Sequence, residues 1–252
     1  MPRIAAKTPA ELAKMRKAGR VVARALELVR EEARPGLTTG RLDEMVEELI
    51  RSEDAEPAFK GYRGFPASTC TSINEQVVHG IPGPRELKEG DILSVDVGAL
   101  LNGYYGDAAI TVPIGEISPR AQEIIDVTRR ALDAALGVIR PGVRISEIGR
   151  AVQNIAREAG FSVVRKYTGH GIGKQMHEPP QVPNFTGTWS RRGPALPAGA
   201  TVAIEPMINA GTYKVKELKD GWTVVTRDGK LSAHFEHTVA VQAHGPAIMT
   251  VL

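Results

Sequence analysis

The sequence predicts an α/β protein built as two similar αβ halves. Three observations predict it. An Arg-Pro-Gly turn followed by an amphipathic helical stretch occurs twice, at residues 34–51 and 140–157. The segment "LKEGDILSVD" ending at Asp96 matches "LPAGATVAIE" ending at Glu205, and "GDAAITV" at 106–112 matches "FEHTVAV" at 235–241. One such short match would mean little, but three in the same order point to an internal duplication. The halves run approximately 1–112 and 113–252 and form one domain, an ordinary size for 252 residues.

The elements follow in order. Thr8, Pro9 and Glu11 open the first helix: Thr8 caps free amides, Pro9 sits where no amide is needed, and Glu11 reaches back. That helix runs to about Glu32 and stops ahead of Arg34, because Pro35 disfavours helical geometry in the residue before it. In the second helix Leu42, Met45, Val46, Leu49 and Ile50 share one face. The stretch 92–112 reads as a hairpin turning at Asn102 and Gly103. Ser118 and Pro119 start a third helix, and Ile145, Ile148, Val152 and Ile155 line a fourth. Further β-like stretches are 201–208, 222–227 and 234–241. The segment 181–200, with Pro183, Pro194, Pro197, Trp189, Arg191 and Arg192, is expected as a long surface loop.

Composition is that of a folded globular chain, 42% hydrophobic and 24% charged. The net charge of +3 is too small to argue for a specific nucleic-acid partner, although a pI near 9.0 leaves transient association with the ribosome open. The N-terminal residues hold no apolar secretion core, and no uncharged apolar run approaches the roughly 18 residues of a membrane span. A soluble, cytoplasmic protein with no membrane partner is expected. The single cysteine, Cys70, allows no intrachain disulfide.

Two carboxylates inside the 92–112 hairpin need explaining. A two-residue turn at Asn102 and Gly103 sets Asp107 opposite Gly98, and alternation puts Asp96 on the same face, roughly 7 to 8 Å away along the diagonal. Set among Ile92, Val95, Val97 and Ile110, ionised carboxylates that close would be desolvated and would repel each other. A multivalent cation removes both costs. Edge-strand charges that deter aggregation would account for one acid per edge. They do not account for the repeat, which sets Glu205 against Asp96 and Glu236 against Asp107. Four carboxylates alone suit Mg²⁺ or Ca²⁺, whereas an imidazole shifts preference toward Mn, Fe, Co or Zn. The candidate is His170 in "TGHGIGKQMHEPP", where Gly169, Gly171 and Gly173 are expected to let the backbone approach the site. Other motif readings of this segment fail: Lys174 stands where a dinucleotide loop needs its third glycine, Gln175 follows where a phosphate loop needs Ser or Thr, and Gln181 replaces a zincin's second histidine.

The order Asp96, Asp107, His170, Glu205, Glu236, with "TSINEQVVHGIPG", "TGHGIG" and "AIEP" around it, resembles the methionine aminopeptidases of the bacterial type I kind over nearly the whole chain. The resemblance implies a duplicated pita-bread fold, with two pseudo-twofold related halves around a central antiparallel sheet and helices outside. It also implies two divalent ions (Co, Mn, Fe or Zn): Asp107 and Glu236 bridge, Asp96 holds one ion, and His170 with Glu205 holds the other. In such dinuclear sites the ions lie roughly 3.5 to 4 Å apart, and hydroxide formed there attacks the carbonyl after the N-terminal methionine. The implied substrates are N-termini of nascent polypeptides whose second residue is small. Glu205 is the implied proton carrier, and His79 and His177 the implied contacts to the scissile amide and its oxyanion. Tyr62, Phe65, Cys70, Met176 and Trp222 are the implied methionine pocket, with Met176 where several relatives carry an aromatic residue. His234 is expected to be exposed, His237 to be structural or to support the ligands from behind with no catalytic role, and a monomer is expected. Two other readings compete. Proline-directed peptidases and creatinase-like hydrolases share the fold but usually add an N-terminal domain, and non-catalytic modules on it typically lose metal ligands, all five of which are present here.

Overall fold

The computed structural model describes residues 4–186 and 193–252. Helix α1 (Pro9–Glu32) begins as its sequence dictates: the Thr8 hydroxyl accepts from the Glu11 amide at 3.3 Å while the Glu11 carboxylate accepts from the Thr8 amide at 2.9 Å. Thr38 caps α2 (Thr39–Ser52) and Ser118 caps α3 (Pro119–Gly137); α4 (Ile145–Glu158) buries Ile145, Ile148 and Val152.

The strands, in chain order, are β1 (Glu56–Pro57), β2 (Thr69–Ile73), β3 (Gln76–Val78), β4 (Ile92–Leu101), β5 (Tyr104–Pro113), β6 (Ser162–Val163), β7 (Gly169–Gly171), β8 (Glu178–Val182), β9 (Thr201–Ile204), β10 (Met207–Asn209), β11 (Val215–Glu217), β12 (Val224–Thr226), β13 (Ser232–His234), β14 (Glu236–Gln242) and β15 (Gly245–Ile248). A nine-stranded antiparallel sheet runs β1-β4-β5-β14-β9-β7-β8, with β2 added on β4 and β15 on β14. Two three-stranded sheets, β13-β10-β6 and β11-β12-β3, extend it.

The Asn102-Gly103 turn fixes the β4–β5 register as expected, with Gly98 opposite Asp107 and Asp96 opposite Ala109. One face of this pair carries Leu93, Val95, Val97, Ala108 and Ile110, which pack with Val22 and Leu26 of α1 in the main core. Gly106 lets the helix come this close, since a Cβ there would stand 2.8 Å from the Gly19 nitrogen. The opposite face carries Ser94, Asp96, Gly98, Asp107 and Thr111. Alternation thus sorts the hairpin into a dry face under the helix and a polar face turned the other way.

The two Arg-Pro-Gly turns are built alike. Gly36 (φ +86°) donates to the Leu87 carbonyl at 2.9 Å, and Gly142 (φ +85°) donates to the Leu196 carbonyl at 2.8 Å. Where β5 meets β14 the ladder holds only Glu236 opposite Ala109 and His237 opposite Ala108. Two threonine hydroxyls continue it. Thr238 Oγ1 donates to the Asp107 carbonyl at 2.8 Å and accepts from its amide at 3.1 Å, while Thr111 Oγ1 donates to the His234 carbonyl at 2.8 Å and accepts from its amide at 2.9 Å. Buried backbone groups are thereby satisfied across a short seam.

Three expectations change. The stretch 201–208 is two strands, β9 and β10, because Pro206 has no amide to continue the ladder. The stretch 234–241 divides likewise at Phe235, with β13 in one sheet and β14 in another, so Glu205 and Glu236 both lie where the chain passes between sheets. The segment 181–200 is no simple surface loop: its start completes β8, and Val182, Asn184, Leu196 and Ala200 are buried. Trp189, Arg191 and Arg192 lie outside the described residues. Among the described residues no helix is long and apolar enough to cross a membrane.

Candidate metal centre

The polar face of the β4–β5 hairpin forms the floor of a cavity of about 140 Å³. That is roughly ten times the space a single water requires. All twelve candidate residues named from the sequence line it: the acids Asp96, Asp107, Glu205 and Glu236, the histidines His79, His170 and His177, and the wall residues Tyr62, Phe65, Cys70, Met176 and Trp222.

On the floor, Asp107, His170 and Glu236 offer ligand atoms that all lie within 4.8 Å of one another. His170 Nδ1 donates to the Gly171 carbonyl at 2.9 Å, which leaves Nε2 free to face the acids, 3.7 Å from Asp107 Oδ2 and 3.8 Å from Glu205 Oε1. This fixes the tautomer a metal ligand needs. Among the described residues, Asp96 Oδ1, Asp107 Oδ1 and Glu236 Oε1 are buried with no hydrogen-bond partner. Orphaned buried carboxylate oxygens are costly and ask for a cation.

The electrostatics agree. Burial first, then the neighbouring acids, push Asp96, Glu205 and Glu236 well above the usual carboxylate range, and burial raises Asp107 as well. Without a positive partner the cluster would take up protons; bound cations reverse that preference. Three or four oxygens and one imidazole nitrogen form a donor set that fits Mn, Fe, Co or Zn.

Above the floor stand two more imidazoles. The His177 ring lies 4.1 Å from that of His170 and stacks on Tyr62, whose hydroxyl sits 2.9 Å from His177 Nδ1. His79 occupies the left-handed region (φ +58°) and meets Tyr167 and Trp222 edge to face. Burial, then the charge of His177, lowers the His79 pKa to about 4; burial, then His170, lowers that of His177 to about 4. Both are neutral near pH 7 and free to donate a hydrogen bond. The wall is apolar, with Phe65 edge to face on Trp222 at 5.1 Å and Met176 2% exposed. Burial raises the Cys70 thiol, leaving it a small apolar surface rather than a nucleophile.

Two lining residues escaped the sequence reading, Phe59 and Arg63. Phe59 stands three residues before Tyr62 in "AFKGYRGF", a spacing that one tight turn converts into a shared side, and that was the available signal. Two local expectations are corrected. The glycines around His170 do not bring backbone to the site: a Cβ on Gly169 would meet the Ala203 carbonyl at 2.3 Å, and one on Gly171 the Pro179 carbonyl at 2.3 Å. They let β7 nest between β9 and the start of β8. His234 is 2% exposed, not on the surface, because β13 runs beneath the site before the chain turns at Phe235. His237 points away from the cavity and bonds Thr250 Oγ1 through Nδ1 at 2.8 Å, a structural contact.

A duplicated sheet whose seam gathers four acids and an imidazole beneath an apolar wall defines a metal-dependent hydrolase site. Residues 13–243 match the profile of metallopeptidase family M24. The chain is 49% identical over 247 residues to methionine aminopeptidase 1 of Bacillus subtilis, covering 98% of this chain and 99% of that one. The crystal structure of methionine aminopeptidase from Thermotoga maritima superposes with a TM-score of 0.96 at 46% identity, covering 99% of this chain and 100% of that chain. A prolidase from Pyrococcus furiosus shares the fold at a TM-score of 0.80 and 24% identity, over 99% of this chain and 66% of its own. The chain belongs to metallopeptidase family M24, in its methionine aminopeptidase branch, and has the pita-bread fold.

Proposed function

We propose that this chain is a methionine aminopeptidase that removes the N-terminal methionine from newly made polypeptides when the second residue is small. One observation carries the reading: four acids and His170 converge, with orphaned oxygens, on the floor of a cavity whose wall is apolar. Two divalent ions, from among Mn, Fe, Co and Zn, would be held there by Asp96, Asp107, His170, Glu205 and Glu236. When bound they supply Lewis acidity and water ionised at neutral pH.

The chain's own groups do the rest. Tyr62, Phe65, Cys70, Met176 and Trp222 take up the methionine side chain and exclude water from it. That presents the following amide between His79 and His177, whose neutral imidazoles donate to its carbonyl oxygen as negative charge develops there. Tyr62 holds the His177 ring for this. Glu205, 3.8 Å from His170 Nε2 through Oε1, carries a proton from the attacking water to the nitrogen of the leaving amine. A bulky second side chain would collide with the imidazole pair. The whole chain acts as one catalytic unit, with the join between its halves near residues 112 and 113, and works as a cytoplasmic monomer with transient contact to the ribosome.

The test is metal stripping with peptide hydrolysis. Chelator-treated protein should not cut Met-Ala-Ser, and Mn²⁺ or Co²⁺ should restore cleavage as two ions per chain are taken up. Asp107→Asn should lower both metal content and rate. Leucine matches methionine in size but is branched and lacks the thioether; a misfit of one such group is worth about 10- to 200-fold in such a pocket, so Leu-Ala-Ser should be cut slowly, and Ala-Ala-Ser and Met-Lys-Ser hardly at all. Full activity of the stripped protein, or Met-Lys-Ser cut as fast as Met-Ala-Ser, would refute the assignment.

A further inference from the structure

One buried side chain beside the metal centre has no role in the mechanism above. His234 is 2% exposed, and among the described residues its Nε2 has no hydrogen-bond partner. That atom lies 3.9 Å from Glu236 Oε2, while Glu236 Oε1 is itself without a partner. A buried imidazole nitrogen left bare is costly, and such groups usually have a reason. The backbone shows how the ring is held in place. Both the amide and the carbonyl of His234 are bound by Thr111 Oγ1, at 2.9 and 2.8 Å, and Thr111 Oγ1 in turn lies 2.8 Å from Ser94 Oγ. On its other side β13 pairs His234 with Met207 of β10. His234 is therefore fixed from both edges, two residues before an acid of the centre.

We infer that His234 is a positioning residue for Glu236: as the Nε2–H tautomer it donates to Glu236 Oε2 and holds that carboxylate in the orientation that binds metal. The inference rests on the metal reading above, and it adds a role for a residue that touches neither ion nor substrate. The 3.9 Å separation is longer than a hydrogen bond, so the role requires the Glu236 carboxylate to turn toward the ring when it holds metal. Hydrogen bonds to ligating carboxylates fix their geometry, and their loss typically weakens metal affinity about 10- to 100-fold. Geometry favours donation to the carboxylate over direct ligation, because His234 is not among the residues lining the cavity in which the four acids and His170 meet.

The test compares metal-stripped wild type with His234→Gln, which keeps an N–H donor, His234→Leu, which removes it, and Glu236→Gln. Mn²⁺ affinity is measured by calorimetry, and ligand geometry by visible absorption of the Co²⁺-loaded proteins. Expected are about 10- to 100-fold weaker Mn²⁺ binding and shifted Co²⁺ bands for His234→Leu, with His234→Gln within about threefold of wild type. Equal affinities for the Leu and Gln variants would overturn the role, since the donor would then not matter. Should His234→Leu fail to fold, nitrogen NMR of histidine-labelled, Zn²⁺-loaded wild type decides: a proton on Nε2 supports the inference and a bare Nε2 refutes it. Unchanged Mn²⁺ binding by Glu236→Gln would instead sink the metal reading itself. Loss of binding there, with wild-type affinity in His234→Leu, sinks only the positioning role.

Discussion

Lys7 and Glu178 form an ion pair at 2.6 Å with side chains only 7% and 14% exposed, and it ties the start of the chain to the segment that carries His177. Glu178 also accepts from the Gln175 amide at 3.1 Å, so this carboxylate holds the turn beside Met176 and His177 from both ends. Gly173 leaves room for the pair, since a Cβ there would stand 2.5 Å from Lys7 Cε. Replacing Lys7 by Met keeps the apolar stem and deletes the charge. Breaking a fully buried pair costs about 3 to 5 kcal/mol because the partner is left uncompensated. With this residual exposure, and with one amide still bonded to Glu178, about 2 to 3 kcal/mol is expected. For a chain of this size each kcal/mol lowers Tm by roughly 2 to 4 °C, so Lys7→Met should melt about 4 to 12 °C below wild type. Urea denaturation should show a lower midpoint with an unchanged slope. Adding Glu178→Gln should recover about half of the loss or more, because the orphaned charge is gone. The Lys7→Met protein should also show a raised KM for Met-Ala-Ser through displacement of His177. A destabilisation below about 0.5 kcal/mol, the size of an exposed pair, or no recovery in the double variant, would refute the reasoning.

Other perturbations separate the remaining roles. His79→Ala and His177→Ala should lower kcat/KM for Met-Ala-Ser by about 10²- to 10³-fold with metal content intact, whereas His170→Ala should lose metal; elemental analysis showing the reverse pattern would undo the assignment. Gly98→Ala would place a Cβ 2.7 Å from Phe59 Cε1 and 3.2 Å from Met176 Cε, so it should cost about 1 to 3 kcal/mol by overpacking and raise KM for methionyl peptides, and an unchanged KM would show that the cavity wall does not read the side chain. Glu47, bonded by Lys60, Ser68 and Arg51, has its pKa lowered to about 2 from 4.5. A folded-state pKa below the unfolded value stabilises above pH 4.5 and ceases to as pH falls toward 2, so Glu47→Gln should cost about 1 kcal/mol at pH 7 and nothing near pH 2; a constant difference in Tm across that range would contradict this.

How far the sequence carried varies from residue to residue, for physical reasons. Asn102 and Gly103 fix a register, and a register fixes which side chains share a face, so the Asp96 and Asp107 arrangement was readable from the hairpin alone. Glu205 and Glu236 were found by repeat, but not the bends at which they sit, although Pro206 was a visible reason for one of them. His234, expected on the surface, is 2% exposed. Its spacing of two from Glu236 is the period of a strand and pointed the other way. The glycines beside His170 were recognised as marking close approach, but which surface approached depended on how β7, β8 and β9 nest, a long-range fact that no local pattern encodes.

The short seam between β5 and β14 has a consequence for how the site is gauged. Beyond its two backbone pairs, the distance between the strands is set by the reach of two hydroxyls, with Thr238 gripping Asp107 and Thr111 gripping His234. Both threonines act as spacers under the span from Asp107 to Glu236, and neither is among the groups that would touch an ion. The bore of the centre is thus written partly in side chains beside it, on the same face of the sheet. Thr238→Ser keeps the spacer and Thr238→Val discards it, so the fit of a smaller or larger cation becomes adjustable from neighbouring residues, with every ligand left in place.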